Sequence, residues 1–150
     1  MLTIKGTTGL REWVGRDIGT SDWLEIDQQR INLFAEATGD HQWIHTDPAR
    51  AAWGPYGTTI AHGYLSLSLL PALASEIYTV DGVSATVNYG LNKVRFPMPV
   101  PVGSRVRNSV HLLELIEVPS GTQATVRHTL ELQGSGRPAV VAEQLRLMVH

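Results

Sequence analysis

The fold is decided by residues 63–78, which read Gly-Tyr-Leu-Ser-Leu-Ser-Leu-Leu-Pro-Ala-Leu-Ala-Ser-Glu-Ile-Tyr. This segment is predicted to form one α-helix, because a large aliphatic residue recurs every fourth position, at Leu65, Leu69, Leu73 and Ile77. Further leucines occupy its other sides, a pattern typical of a helix that is buried nearly all round. Pro71 falls inside the segment, where proline removes a backbone donor and costs about 3 kcal/mol, so we expect a kink there.

After residue 82 the apolar period changes to two. Apolar and polar residues alternate through 123–133, which predicts a long strand with one buried face. Similar runs predict three further strands, at residues 84–89, 105–113 and 141–149. Turn sequences lie between them at 119–121 and 134–136, so the second half of the chain is predicted to be an antiparallel meander.

The rest of the chain supports an α+β class. Asp27 can cap a helix that Gly39 would end. The alternating prolines of residues 97–101 cannot join a central ladder, so they mark a connector or an edge. No linker or repeat divides the sequence, and we expect residues 1–150 to form a single α+β domain in which one sheet wraps the long helix.

Composition excludes several classes of function. The 150 residues include 12 Lys and Arg against 14 Asp and Glu, scattered singly, which argues against nucleic acid as a partner. The absence of cysteine excludes disulfides, thiol catalysis and thiolate metal sites, and it fits a reducing cytoplasm. No signal peptide or membrane-spanning segment is visible, so we expect a soluble, cytoplasmic protein.

Two residues could act on a water molecule. Asp40 follows the glycine that ends the first predicted helix, and His45 comes five residues later on an expected loop. Histidine titrates near neutrality, and a neighbouring carboxylate fixes its orientation, so the pair can hold and deprotonate water. Spacing alone favours a plainer interpretation, in which Asp40 caps a turn and His45 satisfies a buried backbone group.

A metal site is not expected. His41 and His45 have a spacing that occurs in zinc proteases, but those enzymes need Glu after the first His, on a helix. Gln42 stands there instead, the helix has ended, and no third ligand is evident.

The start of the long helix offers a second functional group. The N–H of Gly63 should be unpaired at the first turn and could stabilise negative charge, although a tight turn alone also explains the glycine. His62 is interpreted as a support for the Asp40 loop. His128 lies on the apolar face of its strand and is expected to be a satisfied core histidine.

Two motifs resemble the MaoC-like, (R)-specific enoyl-CoA hydratase family. They are residues 39–48, Gly-Asp-His-Gln-Trp-Ile-His-Thr-Asp-Pro, and residues 57–63, Gly-Thr-Thr-Ile-Ala-His-Gly. A weaker similarity at residues 88–97 extends the resemblance over most of the chain. The chain resembles single-domain members of the mycobacterial type.

The resemblance implies a hot-dog fold, with an antiparallel sheet wrapped around the long central helix, and a homodimer whose sheets join edge to edge. It implies reversible syn hydration of a trans-2-enoyl-CoA or acyl-carrier-protein thioester to the (R)-3-hydroxyacyl thioester. Asp40 and His45 would bind and activate the water, and the N–H of Gly63 would polarise the thioester carbonyl. No cofactor or metal is implied.

Two departures from the family pattern affect particular contacts. Many relatives have Asn-Pro where this chain has Gln42-Trp43, so a supporting polar contact is either made by Gln42 or absent. Some relatives have serine in the long helix where Pro71 stands, which leaves that serine's hydrogen bond in doubt.

Two other functions remain open at this stage. A thioesterase shares the hot-dog fold but hydrolyses with differently placed carboxylates. A non-catalytic protein could instead bind acyl thioesters or serve as the partner subunit of a heterodimeric dehydratase, although an intact Asp40 and His45 argue against an inactive subunit.

Overall fold

The computed structural model describes residues 1–150. Its elements, in chain order, are β1 Leu2–Ile4, α1 Gly6–Arg11, β2 Arg16–Thr20, β3 Leu24–Glu25, α2 Gln28–Thr38, α3 Trp43–Thr46, α4 Pro48–Ala51, α5 Gly63–Ser68, α6 Leu70–Ile77, β4 Tyr78–Val80, β5 Ala85–Arg95, β6 Arg105–Val118, β7 Gly121–Leu132 and β8 Val140–Val149. None of the helices is both long enough and apolar enough to cross a membrane.

One antiparallel sheet contains all the predicted strands, in the order β2-β6-β7-β8-β5, with β3 also paired to β6. The prediction of antiparallel strands is confirmed, but the simple meander is wrong at one point. β5 pairs with β8, with Arg95 opposite Val141, and therefore lies at the outer edge. The proline-rich residues 97–101 form the connector that carries the chain from this edge across to β6.

The first half of the chain contributes strands that the sequence pattern does not reveal. β2 and β3 pair with β6, and β1 pairs in parallel with β4 in a separate two-stranded sheet. These strands have five residues or fewer, too short for an alternating pattern to be recognised. The conformation of β2 and β3 depends on the longer strand β6 beside them.

The predicted long helix is present and is interrupted as expected. α5 ends at Ser68 and α6 begins at Leu70, with Leu69 between them still in a helical conformation. Pro71 stands in the first turn of α6, where a missing N–H is tolerated. The interruption precedes the proline because the ring removes the donor that the preceding turn would need.

Burial of this helix differs from the prediction in one respect. Leu65, Leu70 and Leu73 are buried against the sheet, whereas Tyr64 is 71% exposed and Ser68 is also exposed. The exposed stripe continues through Ala72, Ser75 and Glu76. The helix is therefore covered on one side, and in a single chain its opposite side faces solvent.

The sheet and helix enclose two apolar clusters. The larger includes Leu65 and Leu70 with Val106 and Leu130, and the smaller includes Val126. Three polar residues lie on the same inward faces of the strands between the clusters, namely Asn108, His128 and Gln144. The core is thus divided within α6, where Leu73 belongs to the larger cluster and Ala74 to the smaller one.

These polar residues form a hydrogen-bonded row. The side-chain amide of Asn108 donates to the carbonyl of Leu70 at 3.3 Å and to Nδ1 of His128 at 3.0 Å. His128 then donates from Nε2 to Oε1 of Gln144 at 3.0 Å. The prediction that His128 is a satisfied core histidine is confirmed.

Burial of His128 lowers the pKa of its ring to about 4, and the charge of Arg146 adds to the decrease.

Acid should destabilise the protein through His128. The unfolded chain binds a proton at this residue below pH 6.5, but the folded chain binds it only below about pH 4. Folding stability should therefore fall by about 3 kcal/mol as the pH decreases through this window. Urea unfolding of the wild type and His128→Gln across these pH values should give a flatter dependence for the variant. His41→Gln, an exposed control, should keep the wild-type slope, and equal slopes for all three proteins would contradict the assignment.

Candidate active site

The loop that carries Asp40 is fixed by the two ends of α2. Asp27 caps its start by accepting a hydrogen bond from the N–H of Arg30 at 2.8 Å. Gly39 ends it in the left-handed region, with φ 79°. Both predictions for this helix are confirmed. The left-handed residue turns the chain out of α2 and places Asp40 in the following loop.

His45 lies on α3, a single helical turn, rather than on the irregular loop that was predicted. The turn forms because the carbonyl of Gln42 accepts from the N–H of His45 at 3.0 Å and from the hydroxyl of Thr46 at 3.3 Å. A helix of four residues, such as α3, gives no periodic signal in a sequence.

The side chain of Gln42 makes no hydrogen bond here, so the contact expected of the family's asparagine is absent and only the backbone of Gln42 supports the turn.

The ring of His45 is held in a defined tautomer. Its Nδ1–H donates to the carbonyl of Ile60 at 2.7 Å, which leaves the lone pair on Nε2. The ring is 7% exposed, and this burial lowers the pKa of His45 from 6.5, although the Ile60 carbonyl opposes the shift. At neutral pH, Nε2 of His45 is therefore available to accept a proton.

Gln28 also positions His45, and sequence reasoning did not identify it. Its Nε2 donates to the backbone carbonyl of His45 at 2.7 Å, and its Oε1 accepts from the hydroxyl of Thr59 at 2.5 Å. One side chain therefore joins α2, α3 and the segment before α5. Gln28 follows the capping Asp27 directly, but nothing in the sequence indicates that its side chain reaches so far along the chain.

His62 connects the two candidate catalytic residues. It is 2% exposed, and its Nε2–H donates to the backbone carbonyl of Asp40 at 2.9 Å. Its ring stacks on that of His45, with centroids 3.9 Å apart and an interplanar angle of 25°. The ring of Phe34 packs against it at 4.9 Å. These contacts hold the backbone of Asp40 and the ring of His45 in one cluster.

Asp40, His45 and His62 each place one side-chain N or O atom within 4.8 Å of the others. No direct hydrogen bond joins the exposed Asp40 carboxylate to His45, so the space between them can hold a water molecule. The zinc-like pair considered from the sequence does not form, because His41 lies at the surface, 3.8 Å from Glu36. The trio itself has a donor set that could bind a divalent cation.

Gly63 opens α5, as predicted, and no backbone carbonyl accepts its N–H. It shares with His45 a cavity of about 280 Å³, lined mainly by apolar residues that include Phe96. A Cβ at Gly63 would lie 3.3 Å from the Phe96 ring. The glycine therefore avoids a close contact with Phe96 in the cavity that it shares with His45.

Comparison with known proteins identifies relatives along almost the whole chain. The sequence model described as MaoC like domain matches residues 10–133. The chain is 56% identical over 146 residues to 3-hydroxyacyl-thioester dehydratase Z of Mycobacterium tuberculosis strain H37Rv, covering 97% of each chain.

Solved structures show the same hot-dog fold. The (R)-hydratase from A. caviae involved in PHA biosynthesis matches with a TM-score of 0.74 at 27% identity, over 90% of this chain and 96% of that one. R-Hydratase PhaJ1 from Pseudomonas aeruginosa matches with a TM-score of 0.74 at 26% identity, over 91% and 82%. The predicted fold, in which an antiparallel sheet wraps a central helix, is confirmed.

The protonation of His45 can be measured directly. In ¹⁵N NMR spectra, we expect its neutral form to carry the proton on Nδ1 and its titration midpoint to lie below 6.5, because burial is the largest influence on its pKa. The spectrum of His45→Gln assigns the signals. A neutral form protonated on Nε2, or a midpoint above 6.5, would contradict the described hydrogen bond and burial.

Proposed function

The chain belongs to the MaoC-like dehydratase family and is an enzyme of the hydratase and dehydratase class, and from this premise we propose that it catalyses the reversible, (R)-specific hydration of trans-2-enoyl-CoA. The product is the (R)-3-hydroxyacyl-CoA. The observation that supports this most directly is that the Asp40 carboxylate and a ring nitrogen of His45 lie within 4.8 Å of each other without a hydrogen bond, while His45 and Gly63, whose N–H is unpaired, line one cavity. We also propose that residues 1–150 form a single catalytic domain.

Asp40 and His45 act on the water in this proposal. The water lies between the carboxylate and Nε2 of His45, and its oxygen adds to C3 of the enoyl thioester as the pair accepts a proton. The same pair delivers a proton to C2 on the same face, which gives syn addition. Because the pKa of His45 is lowered by burial, the ring starts neutral and can act as the base.

Gly63 stabilises the charge that develops during this addition. As the water oxygen bonds to C3, electron density moves through C2 onto the thioester oxygen. The N–H of Gly63 would donate to that oxygen, as in an oxyanion hole. The thioester makes the alkene electrophilic by itself, so the proposed reaction needs no organic cofactor.

His62 and Gln28 are positioning residues in this scheme. His62 holds the backbone of Asp40, and Gln28 holds the backbone of His45. Neither needs to exchange a proton with the substrate. Their effect is to keep the Asp40 and His45 side chains at the separation that a water molecule requires.

Substitution of either acid–base residue should abolish hydration. Asp40→Asn and His45→Gln should each lower kcat by about 10²- to 10⁴-fold, the usual contribution of a general acid or base. The assay follows the loss of enoyl absorbance with crotonyl-CoA and with a longer trans-2-enoyl-CoA. Asp47→Asn and His41→Gln change the same residue types on the same segment outside the cluster and serve as matched controls.

Three outcomes of this assay would argue against the proposal. Turnover near the wild-type rate in Asp40→Asn or His45→Gln would exclude the proposed acid–base roles. Release of free CoA from a saturated acyl-CoA would favour the thioesterase function instead. Loss of hydration after treatment with EDTA, restored by a divalent cation, would argue against a reaction in which Asp40 and His45 act without a metal.

We further propose that the enzyme is a homodimer joined along β5. This strand has 11 residues, pairs only with β8, and therefore leaves its other edge free. Val87, Tyr89 and Leu91 are 45%, 65% and 45% exposed. A long, apolar, unprotected edge favours pairing with another strand, and a two-fold axis would pair β5 with itself in an antiparallel arrangement.

Charge on this edge should separate the dimer. Val87→Lys combined with Leu91→Lys would place like charges against their symmetry mates, so light scattering should give the monomer mass of 16.4 kDa. The wild type and the control Ile116→Lys, an exposed residue on β6, should both give twice that mass. A monomeric wild type would contradict the proposed assembly.

A further inference from the structure

A second cavity, of about 350 Å³, lies where α5 meets α6 and contains none of the proposed catalytic residues. Its apolar lining includes Leu67, Leu70 and Leu91. Unlike the cavity beside His45, it also contains two side-chain amides, those of Asn88 and Gln144. Gln144 is 6% exposed, so one of these amides is part of the buried polar row.

The direction of every hydrogen bond in this row follows from the carbonyl of Leu70. A carbonyl can only accept, so the group of Asn108 that faces it must be the NH₂. The same NH₂ contacts Nδ1 of His128, which must therefore be the unprotonated nitrogen. His128 then donates from Nε2, so that Gln144 presents its oxygen to the ring.

The row ends in a free donor at the cavity. With its oxygen committed to His128, Gln144 donates from Nε2 to Oδ1 of Asn88 at 2.8 Å. This bond fixes the orientation of the Asn88 amide, and its NH₂ group makes no hydrogen bond in the structure. Asn88 is exposed and lines the cavity, so its NH₂ is a hydrogen-bond donor available there, and the buried row prevents the Asn88 amide from rotating to offer an acceptor instead.

This cavity lies further along the same helix and the same strand as the cavity beside His45. The catalytic cavity is lined by Gly63 at the start of α5 and by Phe96 just after β5. The second cavity is lined by residues one to two helical turns further along, from Leu67 to Pro71, and by earlier residues of β5. Along the helix axis, at 1.5 Å per residue, Leu67 and Pro71 lie about 6–12 Å beyond Gly63, a distance that an acyl chain can span.

We propose that the second cavity binds the distal part of the acyl chain and selects chains that carry an oxygen acceptor there. This inference rests on the proposed function and specifies its substrate class, namely acyl thioesters with a keto, ether or hydroxyl oxygen remote from the reacting carbons. An unsubstituted hydrocarbon chain would cover the NH₂ of Asn88 without satisfying it, and a buried donor without a partner lowers affinity.

Binding of saturated thioesters tests this inference without turnover. Decanoyl-CoA is compared by calorimetry with isomers that carry one keto group, moved along the chain from its middle towards its end. A ketone is the appropriate probe because it can only accept a hydrogen bond. We expect at least one isomer to bind the wild type about tenfold more tightly than decanoyl-CoA, which corresponds to about 1.4 kcal/mol.

Two variants test the role of the Asn88 amide. Asn88→Asp preserves the side-chain shape and the acceptor for Gln144 but replaces the free NH₂ with a carboxylate oxygen, so the preference for the ketone should disappear. Asn92→Asp adds the same charge to the same strand outside the cavity, and should keep the preference. Circular dichroism and the mass in solution establish that both variants are folded.

The outcomes separate this inference from the proposed function. Equal affinity for decanoyl-CoA and every keto isomer, or a preference that survives in Asn88→Asp, would overturn the inference even if enoyl-CoA is hydrated. A ketone preference that depends on Asn88, in a protein that hydrates no enoyl-CoA, would support the cavity assignment and overturn the proposed function. Failure to bind any of these thioesters would overturn the inference, and the hydration assay would then decide the function independently.

Discussion

The structure depends on burying the interrupted helix α5–α6 against the sheet while satisfying its backbone. The proline ring at Pro71 removes one N–H, and the helix is interrupted just before it. Asn108 ties the helix to the sheet by donating to the carbonyl of Leu70. A polar row then crosses the sheet to Asn88, and the apolar core lies as two clusters on either side of it. A buried polar row is tolerated because nearly all of its donors and acceptors are matched.

The beginning of the same helix positions the candidate active site. Gly63 supplies an unpaired N–H, and His62, directly before it, contacts both Asp40 and His45. The packing that buries α5 therefore also determines where the Asp40 loop lies relative to the oxyanion position. Gln28 adds a second connection, so that α2, α3 and the approach to α5 hold the cluster from different directions.

Burial has opposite uses for His45 and His128, two of the three buried histidines of this fold. His45 lies beside a cavity and keeps Nε2 free, so the lowered pKa favours a neutral base in contact with substrate. His128 has both ring nitrogens bonded and a pKa of about 4, so it stays neutral and transmits a fixed hydrogen-bond direction from α6 to β5. A free ring nitrogen at a cavity, rather than burial itself, separates the proposed chemical role of His45 from the structural role of His128.

The sequence by itself determined the elements and the chemistry that local patterns encode. The period-two strands, the cap at Asp27, the turn at Gly39 and the kink near Pro71 all follow from side-chain spacing and backbone geometry, and the Asp40 and His45 motif indicated the family. Only the tertiary structure decided that β5 pairs with β8, that Gln28 reaches His45, and that His62 joins the cluster in place of His41. Only the tertiary structure shows that the NH₂ group of Asn88 makes no hydrogen bond. These features depend on contacts between residues far apart in the chain, because a hydrogen bond across a sheet or between helices leaves no periodic trace in the sequence.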